Sequence, residues 1–430
     1  MNKKIQTRIK LLVTALIFIS ILLLLLSSCS SLFPNPEKEL TANEYIYETF
    51  KEWYLWYDEI PEIKPNDYDD YTSLIAAIKS DVDRWSFAGS YTEINNLFFK
   101  SESKGFGSGF KVDYDQQIKI TKVYRESPMG KLGVERGWVI NSINGFTIDD
   151  LDKVNEALAS TEAVDFVFTD YNNQKHQHSI QKESFVMNTV LYSEVIEIED
   201  QRIGYLVFDS FTETSVPEIE SAIALFNSKN ITNLIVDLRY NGGGLNSTAH
   251  MLMSVIGGEK VKGQIVSIIK NNNKKSKQDV SVIADYDGAT LDIDKVYFIT
   301  TSATASASEL VINNISPYID IVQVGSTTHG KPVGMYIISF KEIDLSVVPI
   351  SFINTNSLGF GEYFDGIPAN IIEVDDLNHR FGDPEEAMLK AAINDILHPL
   401  IAVASPLKSM LIKQQKAFEY QGINQFINAW

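Results

Sequence analysis

Two segments of the chain carry residues that could perform acyl transfer. Ser306 lies between Ala305 and Ala307, and Lys331 follows Gly330 twenty-five positions after the serine. A serine hydroxyl is a weak nucleophile at neutral pH and needs a base to accept its proton. A lysine can be that base where an apolar environment lowers its pKa. The two segments therefore suggest a serine nucleophile served by a lysine general base.

The elements before these segments are predicted to be buried strands. Residues 296–300 and 319–324 are rich in β-branched and aromatic side chains, which favours strands that end in loops. Residues 309–312 predict the start of a helix whose N-terminal amides point at Ser306. Each segment alone is also typical of an ordinary helix cap or a solvated loop, so the interpretation depends on the rest of the chain.

Two further motifs accompany the serine and the lysine. Residues 237–244 read Asp-Leu-Arg-Tyr-Asn-Gly-Gly-Gly, and residues 366–369 read Gly-Ile-Pro-Ala. With these motifs in this order, the chain resembles the C-terminal processing peptidases, also called tail-specific proteases, over about residues 40–400. The second motif matches that family's Gly-Ile-x-Pro-Asp stretch imperfectly. The resemblance implies a serine peptidase with Ser306 as nucleophile, Lys331 as base and no cofactor or metal.

The resemblance also implies the groups that stabilise the oxyanion. Glycines lack Cβ, so backbone amides in the 237–244 loop can approach a substrate closely. The amides of Gly243 and Ala307 are the donors that the family suggests, although Gly242 fits equally well on spacing alone. Asp237 and Arg239 are expected to fix the loop by pairing with each other.

The chain departs from the family pattern after the lysine. A glutamine often stands four residues later to orient the amine, and here that residue is Met335. Methionine is a poor hydrogen-bonding group, so the role is absent or is supplied from elsewhere, with Glu309 and Thr328 as candidates. Among the six histidines, His329 lies near Lys331 and is interpreted as a wall of the pocket.

Residues 105–181 resemble a PDZ domain. Gly105, Phe106 and Gly107 match its carboxylate-binding loop, and residues 133–145 match its Gly-Asp-x-Ile-x-x-Ile-Asn-Gly segment, except that Trp138 replaces the usual aspartate. Residues 149–159 predict the helix beside the groove, and residues 166–179 predict a hairpin around Asn172 and Asn173 that closes the domain. PDZ domains bind a peptide as an added strand, so the substrates expected are unfolded or C-terminal polypeptides. A β-rich insert without a ligand is the alternative.

The N-terminus is typical of an exported lipoprotein. Four basic residues precede an apolar run over residues 11–26, which is shorter than a membrane span. Cys29, the only cysteine, follows this run and is predicted to carry a lipid, so that the protein would be anchored in the bacterial cell envelope, facing the periplasm or the outer membrane. The alternative is a transmembrane anchor.

The fold class predicted is α/β. The strand–helix alternation from about residue 182 indicates a mixed parallel sheet, and the resemblance implies a core of the ClpP/crotonase type with an inserted PDZ-like domain and an N-terminal helical segment. Aromatic residues at helical spacing between Tyr45 and Tyr57 predict a buried face of the N-terminal segment, and residues 375–396 predict a helix that closes the core. A homodimer is consistent with such an N-terminal segment. The predicted divisions are the signal peptide 1–28, a tether 29–41, the helical segment 42–104, the PDZ-like domain 105–181, the protease core 182–400 and an amphipathic tail 401–430.

The composition restricts the classes of partner. The chain has 430 residues and a net charge of −19, which falls to about −23 without residues 1–28. This acidity and the lack of a basic patch argue against nucleic acid as a partner. A single cysteine also excludes disulfides within the chain.

Three functions compete on the sequence alone. The first is an exported, lipid-anchored serine endopeptidase that cuts near the C-terminus of its substrates. The second is a catalytically silent binding lipoprotein that binds peptides in the same groove. Met335, which replaces the family's glutamine, is the reason to retain this alternative. The third is an acyl-CoA enzyme on a related core, against which the export signal and the PDZ-like insert both argue.

Overall fold

The computed structural model describes residues 40–399 and a two-residue strand at 419–420. The predicted signal peptide, Cys29 and most of the predicted tail lie outside these residues. Within the described part of the chain, no helix has both the length and the apolarity needed to cross a bilayer.

The described residues form nine α-helices and twenty-one strands, which agrees with the predicted α/β class. The helices are α1 Ala42–Trp53, α2 Tyr71–Ile78, α3 Tyr91–Lys100, α4 Pro128–Lys131, α5 Leu151–Ala159, α6 Ser215–Ser228, α7 Asn246–Gly257, α8 Ala307–Ile315 and α9 Ala387–Leu397. The strands are β1 Phe87–Ser90, β2 Glu102–Gly105, β3 Ser108–Val112, β4 Ile118–Val123, β5 Val139–Ile143, β6 Val164–Thr169, β7 Lys175–Ile180, β8 Glu183–Val186, β9 Val190–Ile198, β10 Gln201–Phe208, β11 Asn233–Asp237, β12 Ile265–Asn271, β13 Val280–Ile283, β14 Lys295–Thr300, β15 Asp320–Gly325, β16 Val333–Met335, β17 Ile338–Phe340, β18 Leu345–Val348, β19 Ile350–Thr355, β20 Ile371–Ile372 and β21 Glu419–Tyr420.

A six-stranded sheet forms the centre of the molecule, in the order β20-β15-β14-β11-β10-β9. Its strands are parallel except for β9, which pairs antiparallel with β10 at one edge. Side chains alternate between its faces: Val236 and Phe298 pack with α6, α7 and α8, whereas Tyr297 and Ile299 pack with α9. Because parallel strands end at the same edge of a sheet, the loops after β11, β14 and β15 meet there.

A second sheet forms the inserted unit. Its order is β21-β3-β4-β5-β6-β7, and all its pairs are antiparallel. Its own core includes Phe110, Val154 and Phe166, which places α5 against the sheet. The predicted hairpin turns at Asn173, whose φ is 60°. Strands β2 and β8 form a separate ribbon at the base of the unit.

The N-terminal helices pack on strands of the 182–400 region. Phe50 in α1 and Ile75 in α2 lie in one buried cluster with Val347 of β18 and Ile350 of β19. The aromatic face predicted for α1 is therefore core, as expected from its helical spacing. Strand β1 also pairs antiparallel with β18, so this segment is joined to the core by backbone hydrogen bonds.

One predicted helix is wrong over half its length. The sequence suggested a helix over residues 375–396, but α9 begins at Ala387 and residues before it form turns. Asp375 and Glu386 are buried there and bind arginines of the core and of the inserted unit. A continuous helix through Pro384 would lose a backbone hydrogen bond and clash with the preceding turn.

Candidate active site

Ser306 lies at the start of α8 in a strained backbone conformation. Its φ of 56° and ψ of −114° are unusual for any residue with a side chain, and such a conformation costs about 1–3 kcal/mol. Hydrogen bonds from its neighbours hold it there: Ala305 N donates to Asn241 O at 3.1 Å, and Thr304 Oγ1 donates to Leu238 O at 2.7 Å. The strained and half-buried serine therefore lies at the N-terminus of α8.

The glycine loop after β11 packs directly on this serine. Gly243 has a φ of +106°, and a Cβ at this position would lie 2.8 Å from Ser306 Cβ and 2.9 Å from Ala307 N. Such distances are too short for any side chain, so only glycine fits here. Asn241 fixes the loop by donating from Nδ2 to Phe208 O at 3.0 Å.

Two of the three candidate oxyanion donors are available in this conformation. Gly243 N donates to Asn241 Oδ1 at 2.8 Å, so its amide is engaged within the loop. The amides of Ala307 and Gly242 donate to no partner among the described residues. If Gly243 and Ala307 bind the oxyanion, as predicted, the Gly243 amide must first break its hydrogen bond to Asn241 Oδ1. If Gly242 and Ala307 bind it, no such bond has to break.

Lys331 is buried in the loop after β15, with 5% of its surface exposed. Burial lowers the pKa of its amine to about 8, against the opposing charges of Asp83 and Glu309. Because this value lies near neutrality, a fraction of the lysine is uncharged and able to accept a proton. Burial of this kind is the condition under which a lysine can act as a base.

The serine and lysine side chains are not hydrogen-bonded to one another. The contact found for Lys331 Nζ is Met335 Sδ at 3.9 Å. Met335 therefore occupies the position from which the family's glutamine would orient the amine, and a thioether is a weak acceptor. Catalytic hydrogen bonds are often open without substrate, so this geometry is compatible with a resting dyad.

Glu309 joins the serine and lysine segments through their backbones. Its fully buried carboxyl accepts from Ser306 N at 2.9 Å and Lys331 N at 2.8 Å. It also accepts from Gly330 N at 2.6 Å and Thr328 Oγ1 at 2.5 Å. Burial raises the pKa of this carboxyl, and these donors oppose the rise. Glu309 and Thr328 thus position the lysine's backbone and do not hydrogen-bond its amine.

The segment between α2 and β1 closes the site from the N-terminal side, which the sequence did not indicate. Trp85 Nε1 donates to His329 Nε2 at 3.1 Å, and Arg84 Nη2 donates to Gly330 O at 3.2 Å. Burial, with the charges of Arg84 and Lys331, lowers the pKa of His329 to about 4. His329 is therefore an uncharged acceptor for the tryptophan, two residues before Lys331.

A buried ionic network supports the glycine loop from behind. Arg239 pairs with Asp237 at 2.7 Å, as predicted, and also with Glu386 at 2.7 Å and Asp375 at 2.9 Å. Asp375 in turn binds Arg136 of the inserted unit at 2.7 Å. Sequence reasoning missed Arg136, Asp375 and Glu386, because nothing in their spacing indicates that they meet. Each buried charge in this network has an opposite charge beside it.

The loop with Gly105, Phe106 and Gly107 lines a separate cavity of about 530 Å³. Gly107 has a φ of +80°, and a Cβ there would lie 1.8 Å from Ser127 Cβ. Other parts of the wall come from α3, α5 and β2, with these polar residues among them: Glu93, Asn96, Glu102, Lys104, Asn155 and Lys182. Burial and the charge of Lys104 lower the pKa of Lys182, so two cations approach each other at this wall.

Comparisons with known proteins converge on one peptidase family. The model of peptidase family S41 matches residues 202–371, and the model of the S41 N-terminal domain matches residues 41–87. A predicted CtpA-like serine protease of Staphylococcus epidermidis is 22% identical over 341 residues, which are 77% of this chain and 65% of that protein. A second, from Staphylococcus saprophyticus, is 23% identical over 54% of this chain and 48% of its own length.

A solved structure shares the fold. The crystal structure of a proposed S41 protease from Bacteroides fragilis superposes with a TM-score of 0.71 at 20% identity, covering 86% of this chain and all of that one. The chain spans about half to two thirds of the length of the staphylococcal proteins that it matches.

Proposed function

Because the chain belongs to peptidase family S41, we propose that it is a serine endopeptidase with Ser306 as nucleophile and Lys331 as general base. One observation carries the proposal. A strained serine at a helix N-terminus and a buried lysine with a pKa near 8 are joined through one carboxyl group, Glu309, beside a glycine loop. This arrangement supplies a nucleophile, a base and backbone donors at one edge of the sheet.

The first half of the reaction forms an acyl-enzyme. Neutral Lys331 Nζ accepts the Ser306 proton as Oγ attacks the peptide carbonyl carbon, and the carbonyl oxygen becomes an oxyanion. Ala307 N and a second amide, from Gly243 or Gly242, stabilise that oxyanion. The Lys331 ammonium then gives its proton to the leaving amine as the C–N bond breaks. Neutral lysine is regenerated and can activate the water that hydrolyses the ester.

The cleavage of an unfolded protein by residues 30–430 tests this chemistry. We expect Ser306→Ala and Lys331→Ala each to abolish cleavage, with exposed Ser302→Ala and Lys341→Ala as matched controls that retain it. Cleavage that persists in Ser306→Ala would refute the assignment. A wild-type protein that binds peptide but does not cleave would support the silent binding lipoprotein instead.

We propose that the inserted unit acts as a PDZ-like domain that selects polypeptide C-termini. The edge of β3 that faces away from β4 can accept a strand, since β21 pairs with it in the antiparallel sense and runs toward the 105–107 loop. At that end, Lys104 and Lys182 line the cavity and supply positive charge that suits a terminal carboxylate. Glu93 and Glu102 also line the cavity and offset part of this charge.

Substrate C-termini test this selection. We expect amidation of the substrate C-terminus to raise KM with little change in kcat for the wild type. That difference should disappear in Lys104→Ala/Lys182→Ala and persist in the exposed control Lys175→Ala. Equal KM values for free and amidated substrates in the wild type would contradict carboxylate recognition.

We further propose that the protein is exported and anchored in the bacterial cell envelope through a lipid on Cys29. The support is the basic, apolar and small-residue order of residues 1–29. Metabolic labelling with a fatty-acid analogue should mark the wild type and leave Cys29→Ala unlabelled. Labelling of both proteins would contradict the anchor site. A homodimer is tested by light scattering on residues 30–430.

A further inference from the structure

Asp83 carries a buried carboxyl oxygen, Oδ2, that accepts no hydrogen bond of normal length from any residue that the structure describes. The residue is 2% exposed. Its Oδ1 accepts from Trp85 N at 2.8 Å and from Ser86 N at 3.0 Å, whereas no donor reaches Oδ2 within the part of the chain that the structure describes. A buried acceptor without a donor is unfavourable, so its persistence requires an explanation.

The turn that starts at Asp83 is fixed against the loop that carries Lys331. Arg84 donates to Gly330 O at 3.2 Å and Trp85 donates to His329 Nε2 at 3.1 Å, which are contacts to the two residues before the lysine. Ser86 Oγ accepts from Ile350 N at 2.8 Å on the neighbouring strand. The carboxyl is therefore held from both sides and cannot easily turn to solvent.

The groups around the lysine amine leave Asp83 as its best acceptor. Burial lowers the pKa of Lys331, and the opposing charges are Asp83 first and then Glu309. Both Glu309 oxygens are already occupied by backbone and hydroxyl donors. Met335 offers only a thioether. The charge of Arg84 disfavours a positive charge on His329. The Tyr54 hydroxyl accepts from Ser80 N at 2.9 Å and faces the Asp83 carboxyl; burial and then the charge of Asp83 raise the pKa of Tyr54. A carboxylate oxygen has two lone pairs, so Asp83 can accept from the lysine amine as well as from Tyr54.

We propose that Asp83 is the positioning residue for Lys331, with Oδ2 accepting a hydrogen bond from Nζ during catalysis. The proposal rests on the proposed function of the site. When Nζ takes the Ser306 proton it becomes an ammonium with three N–H groups. One N–H can then donate to Asp83 while another faces the leaving amine. The carboxyl thereby orients the base and stabilises its charged form, which is the work that an aspartate performs for a catalytic histidine.

The substitution Asp83→Asn tests the proposal because the amide retains the oxygen that caps Trp85 and Ser86. Exposed Asp81→Asn is the matched control. We expect Asp83→Asn to lower kcat on the order of tenfold or more with little change in KM. The charge of Asp83 raises the pKa of Lys331, so this pKa should be lower in Asp83→Asn than in the wild type. The pH at which activity rises should therefore also be lower in the variant. A loss of kcat without that movement would indicate a structural role alone and overturn the proposal.

Two further measurements keep the test decisive. Adding Met335→Gln to Asp83→Asn should restore part of kcat, since a carbonyl oxygen would then lie near Lys331 Nζ. If kcat does not recover and the pH profile of Asp83→Asn matches that of the wild type, Asp83 does not position the lysine. If Asp83→Asn does not fold, a crystal structure of the wild type phosphonylated at Ser306 should show Asp83 Oδ2 about 2.8 Å from Nζ. A separation beyond about 4 Å overturns the proposal. Cleavage by Ser306→Ala would instead refute the proposed function itself.

Discussion

Two groups of buried charges, one around Arg239 and one around Lys331, differ in how completely the charges are paired. Arg239 has three carboxyl partners within 2.9 Å. Within the described residues, the hydrogen-bond contact of Lys331 Nζ is a thioether at 3.9 Å. A fully paired buried charge is held in one state, whereas a buried amine with few partners keeps a pKa near neutrality. The first region stabilises the loop and the second retains reactivity.

The largest effect should come from breaking the paired region. Arg239→Met removes the cation from Asp237, Asp375 and Glu386 and leaves their charges buried, which should reduce the free energy of unfolding by about 3–5 kcal/mol. Urea denaturation followed by circular dichroism measures this loss. The exposed pair of Arg380 and Glu135 provides the control, and Arg380→Ala should cost less than about 1 kcal/mol. A change below about 1 kcal/mol in Arg239→Met would show that the network does not stabilise the fold.

Substitution of Gly243, where the glycine loop contacts Ser306, should reduce stability less than Arg239→Met does but should reduce activity strongly. A Gly243→Ala methyl would meet Ser306 Cβ at 2.8 Å, so we expect kcat to fall about a hundredfold or more. Gly359→Ala is the matched control, because its φ of +82° is also positive but no atom lies within 4 Å of the added methyl. Activity in Gly243→Ala equal to that of Gly359→Ala would contradict the packing of this loop on the nucleophile.

The smallest effect should come from adding a hydrogen-bond acceptor beside the Lys331 amine. Met335→Gln places a carbonyl near Lys331 Nζ and should raise kcat by about twofold to fivefold, through better orientation of the base. Met335→Leu keeps the volume without the sulfur and should leave kcat unchanged. Steady-state cleavage of an unfolded protein measures both. A loss of activity in Met335→Gln would mean that the thioether contact itself is required.

The serine and lysine segments and the strands that lead into them could be identified from the sequence because local order determines them. Ser306 and Lys331 stand in short motifs, and the strands before them follow from runs of β-branched and aromatic residues. The α/β class and the hairpin at Asn173 follow from the same kind of local pattern. Such features need no knowledge of distant contacts.

The supporting residues could not be predicted because distant packing brings them together. Asp83 reaches the lysine loop only through tertiary contacts of Arg84 and Trp85. Residues 375–386 looked helical because their composition favours a helix, but the pairing of Asp375 and Glu386 with buried arginines overrides that local preference. A single sequence carries no signal for such pairs.

The pH dependence of the serine's reactivity tests the central claim most directly. The rate at which a fluorophosphonate labels Ser306 should rise with pH through a midpoint of about 8, because only neutral Lys331 accepts the serine proton. His329 cannot supply this midpoint, since its pKa is lowered to about 4. In Lys331→Met the labelling should be much slower and the midpoint should disappear. The same midpoint and rate in Lys331→Met would contradict a serine–lysine mechanism.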